Sequence, residues 1–271
     1  MEAKELLICV ALVAVWAGTA SAQWLDYPTP GIPRGKDGKV NLKAPVPKDA
    51  AGKPDMSGLW QKEPSPWAPP PNDATQGFGS MSAFMPPGAP ESQILMKPEA
   101  AALYKKRADA WGAGRPSEFC LPHTVPDQMF ITRPLRMIQT KYFTAMLWEE
   151  LNNFRMIYAD GRPHPKDMSP SWFGYSIGKW DGDAFVVDTR GFNDKSWLDD
   201  AGHPHTEQMH TIETFRRPDF GHMKVEIAID DPGAYEKPMK FYVNFQFLAD
   251  SDLVEEICEN ERDRAHIAVP K

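Results

Sequence analysis

The chain has 271 residues and is acidic, with 30 Lys and Arg against 37 Asp and Glu and a formal net charge of −7. Its basic residues form no stripe or cluster, which excludes nucleic acid and anionic membrane surfaces as partners, since both select gathered positive charge. GxGxxG, Walker, CxxC and CxxCH patterns are all absent, so nucleotide-dependent and thioredoxin-like chemistry lack support.

Residues 1–22 read as a cleaved signal peptide. Leu6 to Ala17 is an apolar run too short to span a bilayer, and Ala20-Ser21-Ala22 is a small-x-small site before Gln23. Cys9 lies inside the apolar run, which argues against a lipoprotein. The mature chain is thus expected in the periplasm or outside the cell, with no membrane insertion after cleavage. Its two remaining cysteines, Cys120 and Cys258, are expected to pair there. Closing so long a loop stabilises by roughly 3–5 kcal/mol.

Residues 23–97 form a Pro-rich arm. Proline removes ladder donors and fixes φ, so extended chain is expected rather than helix or sheet. One segment, Asp55-Met-Ser-Gly-Leu-Trp60, is strand-like and predicts a strand near 56–61. Trp24, Tyr27, Trp67, Phe78 and Phe84 are candidates to hold the arm against the core, with full disorder as the competing reading. Residues 98–127 hold a helix and a connector. Pro98 suits a first turn, Ala100, Leu103, Tyr104, Ala108 and Trp111 fall on one stripe, and Gly112 ends it.

From Gln128 the period changes to two. Strands are predicted over 128–133, 135–140, 142–149, 153–158, 174–181, 184–190, 208–216, 222–230, 239–248 and 253–258, with a tail at 263–271. Met223, Val225, Ile227 and Ile229 alternate with polar neighbours, as do Phe241, Val243, Phe245 and Phe247. So many strands with short turns predict an all-β, antiparallel up-and-down barrel over 128–262, closed so that no edge is exposed. A two-sheet sandwich is the alternative. In a simple meander the turns near Asn152, Asp181–Asp183, Arg217–Gly221 and Ala249–Asp252 share one end. The connections 159–173, 191–207 and 231–238 form a mouth at the other, where small barrels hold ligands.

One hairpin register carries a sharper expectation. Pairing Arg216 with His222 sets Glu213 opposite Val225 and turns it toward the apolar interior. Desolvation there disfavours the ionised carboxylate, which is how a general acid or base is made. A one-residue slip would turn Glu213 to solvent instead.

Candidate chemistry gathers in Tyr158–His205. His203-Pro204-His205 offers acid/base groups with intrinsic pKa near neutrality. The same pair with His164 or Glu207 leaves a metal site open, although no strong ligand motif is present. Imidazoles that merely tie down a loop are the third reading. In the first loop Asp-Gly makes a turn and two prolines stiffen it around Arg162 and His164. Trp172, Tyr175 and Trp197 are candidate aromatic walls.

The motifs Asp55-Met-Ser-Gly-Leu-Trp60, Gly161-Arg-Pro-His-Pro165, Trp172-x-Gly174-x-Ser176-x-Gly178, Trp180-x-Gly182-Asp183, Val186-Val-Asp-Thr189, Gly191-Phe-Asn-Asp194, Gly202-His-Pro-His205 and Arg216-Arg-Pro-Asp-Phe-Gly221 run through most of the chain. Together they resemble a family of secreted or periplasmic bacterial proteins. Its meander is similar to lipocalin-like (calycin) barrels, which implies a ligand cavity. The resemblance also implies breakdown of lignin-derived aromatic dimers, including formaldehyde-releasing lyases. The expectation is therefore an exported enzyme acting on a hydrophobic or aromatic small molecule by cofactor-free acid/base chemistry, a lyase or an isomerase. His203, His205, Glu213 and Tyr175 would be catalytic. Arg162, His164, Trp172, Asn193 and Trp197 would bind substrate, with no metal. A non-catalytic periplasmic carrier is the alternative, and a metal-dependent hydrolase the third.

Overall fold

The computed structural model describes residues 27–64, 80–85 and 94–258. The expected signal peptide, the tail 263–271 and the arm residues Trp24, Trp67 and Phe78 lie outside them. Nine strands close into a barrel in chain order: β1 (Gly58–Lys62), β2 (Leu135–Gln139), β3 (Phe143–Trp148), β4 (Phe154–Tyr158), β5 (Tyr175–Asp181), β6 (Ala184–Arg190), β7 (His210–Asp219), β8 (His222–Asp230) and β9 (Met239–Phe247).

The strand supplied by the arm completes the barrel. β1 pairs antiparallel with both β2 and β9, leaving no edge. Trp60 is fully buried and donates from Nε1 to the Met56 carbonyl (3.1 Å). The rest of the described arm attaches through backbone and side chains: Phe220 and Gly221 donate to the carbonyls of Ala44 and Leu42 (both 2.8 Å), and Lys48 pairs with Asp183 (3.1 Å). Of the aromatics expected to anchor it, Phe84 is buried and stacked on Phe130 (4.1 Å), whereas Tyr27 is exposed.

Inward positions alternate cleanly on β7 to β9. Phe215, Met223, Val225, Ile227, Ile229, Phe241, Val243 and Phe245 are all essentially inaccessible to solvent. The β7–β8 register is two residues from the expected one. Glu213 faces Ile227 and Arg216 faces Lys224, because a bulge between Arg216 and Asp219 takes up the difference. An even shift preserves the face, so Glu213 still points inward and is fully buried.

Three expectations need correction. Residues 128–133 are not a strand; Asp127–Phe130 is one helical turn, with Gln128 donating to the Thr124 carbonyl (2.8 Å) and all four residues buried, so no face alternates. Residues 253–258 run extended without a ladder, held by side chains such as Arg136 on Asp252 and Arg133 on Glu256. The meander is also broken once. β4 and β5 are parallel, so the connection 159–174 runs the full length of the wall. The Asn152 turn therefore shares an end with the long connections 191–209 and 231–238, not with the Asp181–Asp183 turn.

The disulfide Cys120–Cys258 is present, with Cα atoms 5.6 Å apart across a sequence separation of 138. Helix α1 spans Pro98–Asp109 and shows its partly buried side at Ala100, Ala101, Tyr104 and Arg107. Leu103 and Trp111, expected on that stripe, are exposed. The helix rests on the 191–209 connection, where Tyr104 stacks on His203 (4.2 Å) and Arg107 lies over the Trp197 ring (4.4 Å). Among the described residues no helix is long and apolar enough to cross a membrane.

Candidate functional site

The parallel seam is the weakest stretch of the wall. β4 and β5 pair only through Ile157 with Ser176 and Tyr158 with Ile177. Toward the long-loop end the two chains diverge, and a cleft of about 400 Å³ opens between residues 152–156 and 171–176, bordered by Pro122 and Tyr158. That volume falls within the range of small-molecule sites. Its walls are mostly apolar and aromatic: Phe154, Met156, Tyr158, Trp172, Phe173 and Tyr175. Phe154 points outward and stays exposed, an unusual state for a phenylalanine, while Phe173 stacks on Trp148 behind it (5.7 Å).

The floor is polar. Arg155 alternates inward from Phe154 and ends in the barrel interior, where Nε donates to Ser176 Oγ (2.9 Å) and Nη2 to Thr189 Oγ1 (2.8 Å). Its guanidinium grips both oxygens of Glu213, with Nη1 on Oε1 at 3.0 Å and Nη2 on Oε2. Both side chains are buried to within 1%. The expected lone, desolvated carboxyl at Glu213 is thus a bidentate ion pair. Arg155 was legible through strand parity, because an inward Ile157 obliges an inward Arg155.

The lip carries a second polar cluster. Tyr158 and Tyr175 stack (5.2 Å), and the Arg162 guanidinium lies 4.0 Å over the Tyr158 ring. Arg162 also donates to the Tyr175 hydroxyl (3.2 Å) and is oriented by Asp160. His164 sets its ring edge-on to Tyr175 (6.0 Å) and its Nε2 on Asp188 Oδ1 (3.0 Å). His210 Nε2 meets that same oxygen at 3.0 Å, and Arg190 adds a third contact at 3.3 Å. Burial alone would raise the Asp188 carboxyl, but Arg190 and the two imidazoles outweigh it and hold the group below its ordinary range. Four expected site residues therefore converge here: Tyr175, Arg162, His164 and Trp172.

The others do not join them. His203 is fully buried, with Nδ1 on Asp199 Oδ2 (2.7 Å) and its ring under Tyr104. Burial would raise Asp199, yet His203 and the backbone N–H groups of Met81 and His203 pull it below the usual carboxylate range. His205 holds Ser196 Oγ through Nε2 (2.7 Å), and burial lowers its pKa. Trp197 lies beneath Arg107, and Asn193 is buried and caps the Lys195 amide (3.1 Å). These four hold the 191–209 connection in place, and none of them lines the cleft. The expected gathering of these four beside Tyr175 is therefore not what the fold gives. Spacing put them near one another in sequence, but the parallel seam carried Tyr175 to a different face.

A separate group went unnoticed in the sequence. His123 and Asp127 pair through Nδ1 and Oδ2 (2.5 Å), with Asp200 and Glu150 beside them. Their i, i+4 spacing was the available signal. Burial would lower the imidazole of His123, but Asp127 and the Glu150 contact outweigh it and push it up to about 10. Burial and the charge of Asp127 raise the Asp200 carboxyl to about 6 against the pull of His123 and Arg115. Among the described residues this is the one His, Cys, Asp or Glu set spaced to hold a metal ion, so the alternative site at His203 and His205 has no support in the geometry.

Compared with models of known protein families and with curated proteins, the chain matches none of them.

Proposed function

We propose that this is an exported protein that binds a small aromatic molecule in the β4–β5 cleft and transfers a proton on it, with Tyr175 as the acid/base group. The observation that carries this is the Tyr175 hydroxyl at the lip of an aromatic cleft, receiving an N–H from Arg162 (3.2 Å). That N–H holds the phenolic oxygen in place at the cleft lip, the positioning an acid/base tyrosine requires. Trp172, Phe173 and Tyr158 line the cleft with aromatic surface suited to a planar ligand. An elimination begins with loss of a proton and ends with departure of a leaving group, and an isomerisation returns the proton to a second atom of the substrate. An acid/base group at the cleft lip can serve either, which supports a lyase or isomerase. The narrower reading, a formaldehyde-releasing lyase on lignin-derived dimers, rests on the motif resemblance alone. Export is supported by the leader-like residues 1–22 and by the Cys120–Cys258 disulfide.

A carrier without catalysis is the second reading. It is favoured by the Arg155–Glu213 pair, which neutralises the one carboxylate beneath the cleft floor. Methoxyphenol dimers, with decanoate as control, titrated against tryptophan fluorescence and followed by product analysis separate the two. The enzyme reading expects saturable quenching that Trp172→Leu abolishes, with turnover that Tyr175→Phe removes at least 100-fold while binding changes only a few-fold. Quenching without turnover establishes the carrier, and quenching that survives Trp172→Leu places the ligand elsewhere and sinks both.

A further inference from the structure

The His123 group stands apart from the cleft machinery and has features that a buried structural pair does not need. The turn Asp127–Phe130 presents Asp127 to His123, and the 191–209 connection delivers Asp200 from the other side. One ring nitrogen of His123 and one carboxylate oxygen from each aspartate lie within 4.8 Å of one another. The same three side chains line a small cavity of about 10 Å³, the size of a single water or ion.

Hydrogen bonding leaves the cluster incomplete. His123 is 6% exposed, and its Nδ1 is taken by Asp127. Its Nε2 is buried with no hydrogen-bond partner, while Glu150 Oε1 stands 3.8 Å away, beyond hydrogen-bond range. A buried polar atom left unmatched is disfavoured by ~1–3 kcal/mol. Asp127, Asp200 and Glu150 surround one imidazole; Arg115 lines the same cavity 3.6 Å from Asp200, and half-exposed Arg133 is 3.6 Å from Glu150.

We propose that His123, Asp127 and Asp200 bind a divalent transition-metal ion. One imidazole with carboxylate oxygens suits Zn2+ or Mn2+, whereas Ca2+ takes six to eight oxygens that this cluster does not offer. Ligand atoms around tetrahedral Zn2+ lie roughly 3.3 Å apart, so closing the site asks for side-chain shifts of about 1.5 Å at most. The ion ties the loop carrying Cys120 and Pro122 to the 191–209 connection. Pro122 borders both this cavity and the cleft, so the ion fixes one edge of the cleft from beneath.

The test uses the full mature chain, stripped with chelator and titrated with ZnCl2 or MnCl2 by calorimetry, with CaCl2 as control. One equivalent of Zn2+ or Mn2+ is expected to bind, at least 10-fold more weakly in Asp200→Asn and in His123→Gln. Asp200 is the least buried of the three ligands, so Asp200→Asn keeps the question answerable where His123→Gln fails to fold. X-ray absorption of the zinc form should show one nitrogen and two or three oxygen ligands. The site is overturned by the absence of binding, by equal affinity in Asp200→Asn, or by binding lost in His210→Gln instead, which would place the ion on Asp188.

Discussion

The β7–β8 pair and the β4–β5 seam are made from the same kinds of strand, yet they differ in what they do. β7 and β8 match through eight residue pairs and fill the interior with large apolar side chains; β4 and β5 match through two. Where the ladder is long, alternation is obeyed and the wall is closed. Where it is short, the wall parts, outward aromatics line the gap and an inward arginine meets the one carboxylate that β7 sends across. The cleft is thus a consequence of strand direction. A parallel pair entered through a long crossover cannot keep the register that a tight hairpin would impose.

The comparison breaks most severely at Arg155. Arg155→Met strands Glu213 as an uncompensated buried charge and is expected to remove ~3–5 kcal/mol of stability in urea denaturation. Arg155→Met with Glu213→Leu should recover most of that loss. A double variant no better than the single would show that the pair is not the coupled unit described above.

Cutting the tie at the loop end comes next. Cys120→Ser with Cys258→Ser is expected to lower stability by ~2–4 kcal/mol, read from the urea midpoint. Hydrogen exchange should rise first in the disulfide-tied segments around 120 and 252–258, and a uniform rise over β7–β9 would contradict a local tie.

The seam itself depends on Gly178. A Cβ there would lie 2.3 Å from Phe185 Cζ and 2.9 Å from Ile157 Cγ2, so the absence of a side chain lets the Phe185 ring cross under β5 against β4. Gly178→Ala is expected to cost ~1–3 kcal/mol through overpacking. Its effect on dimer binding should exceed that of Ile229→Val in the regular half; equal effects would mean that the cleft does not depend on the seam.

The smallest effect is one of pH. Burial depresses the folded pKa of His205 below its unfolded value of ~6.5. The neutral ring's contribution is therefore fully present above that value and lost as pH falls through the folded pKa. Chemical-denaturation curves of wild type and His205→Gln between pH 7.5 and 5 should converge on acidification; parallel curves would deny the imidazole this role.

How much of the candidate site could be read follows from where its signals lie. Tyr175, Arg162, His164 and Trp172 were within reach because they belong to one loop and the strand that follows it. Glu213 was placed on the correct face through a register two residues off, since faces repeat every second residue. His203, His205, Asn193 and Trp197 lie apart from Tyr175, because proximity in sequence says nothing about which side of a wall a loop returns to. The His123 cluster was missed because its parts come from a helical turn, a turn after β3 and a distant loop, joined by nothing local.

The sequence by itself determined the barrel: alternation sets which residues face inward, prolines keep the arm out of regular structure, and the segment around Trp60 supplies a strand. It also pointed to the pairing of Cys120 with Cys258, the two cysteines that lie outside the leader-like run 1–22. Only the tertiary structure decided that β4 and β5 run in the same direction and that the wall opens there. It alone decided that Glu213 meets a guanidinium and that three carboxylates gather around His123. Alternation is a local property with period two, whereas strand direction and the meeting of distant side chains depend on how the whole sheet closes.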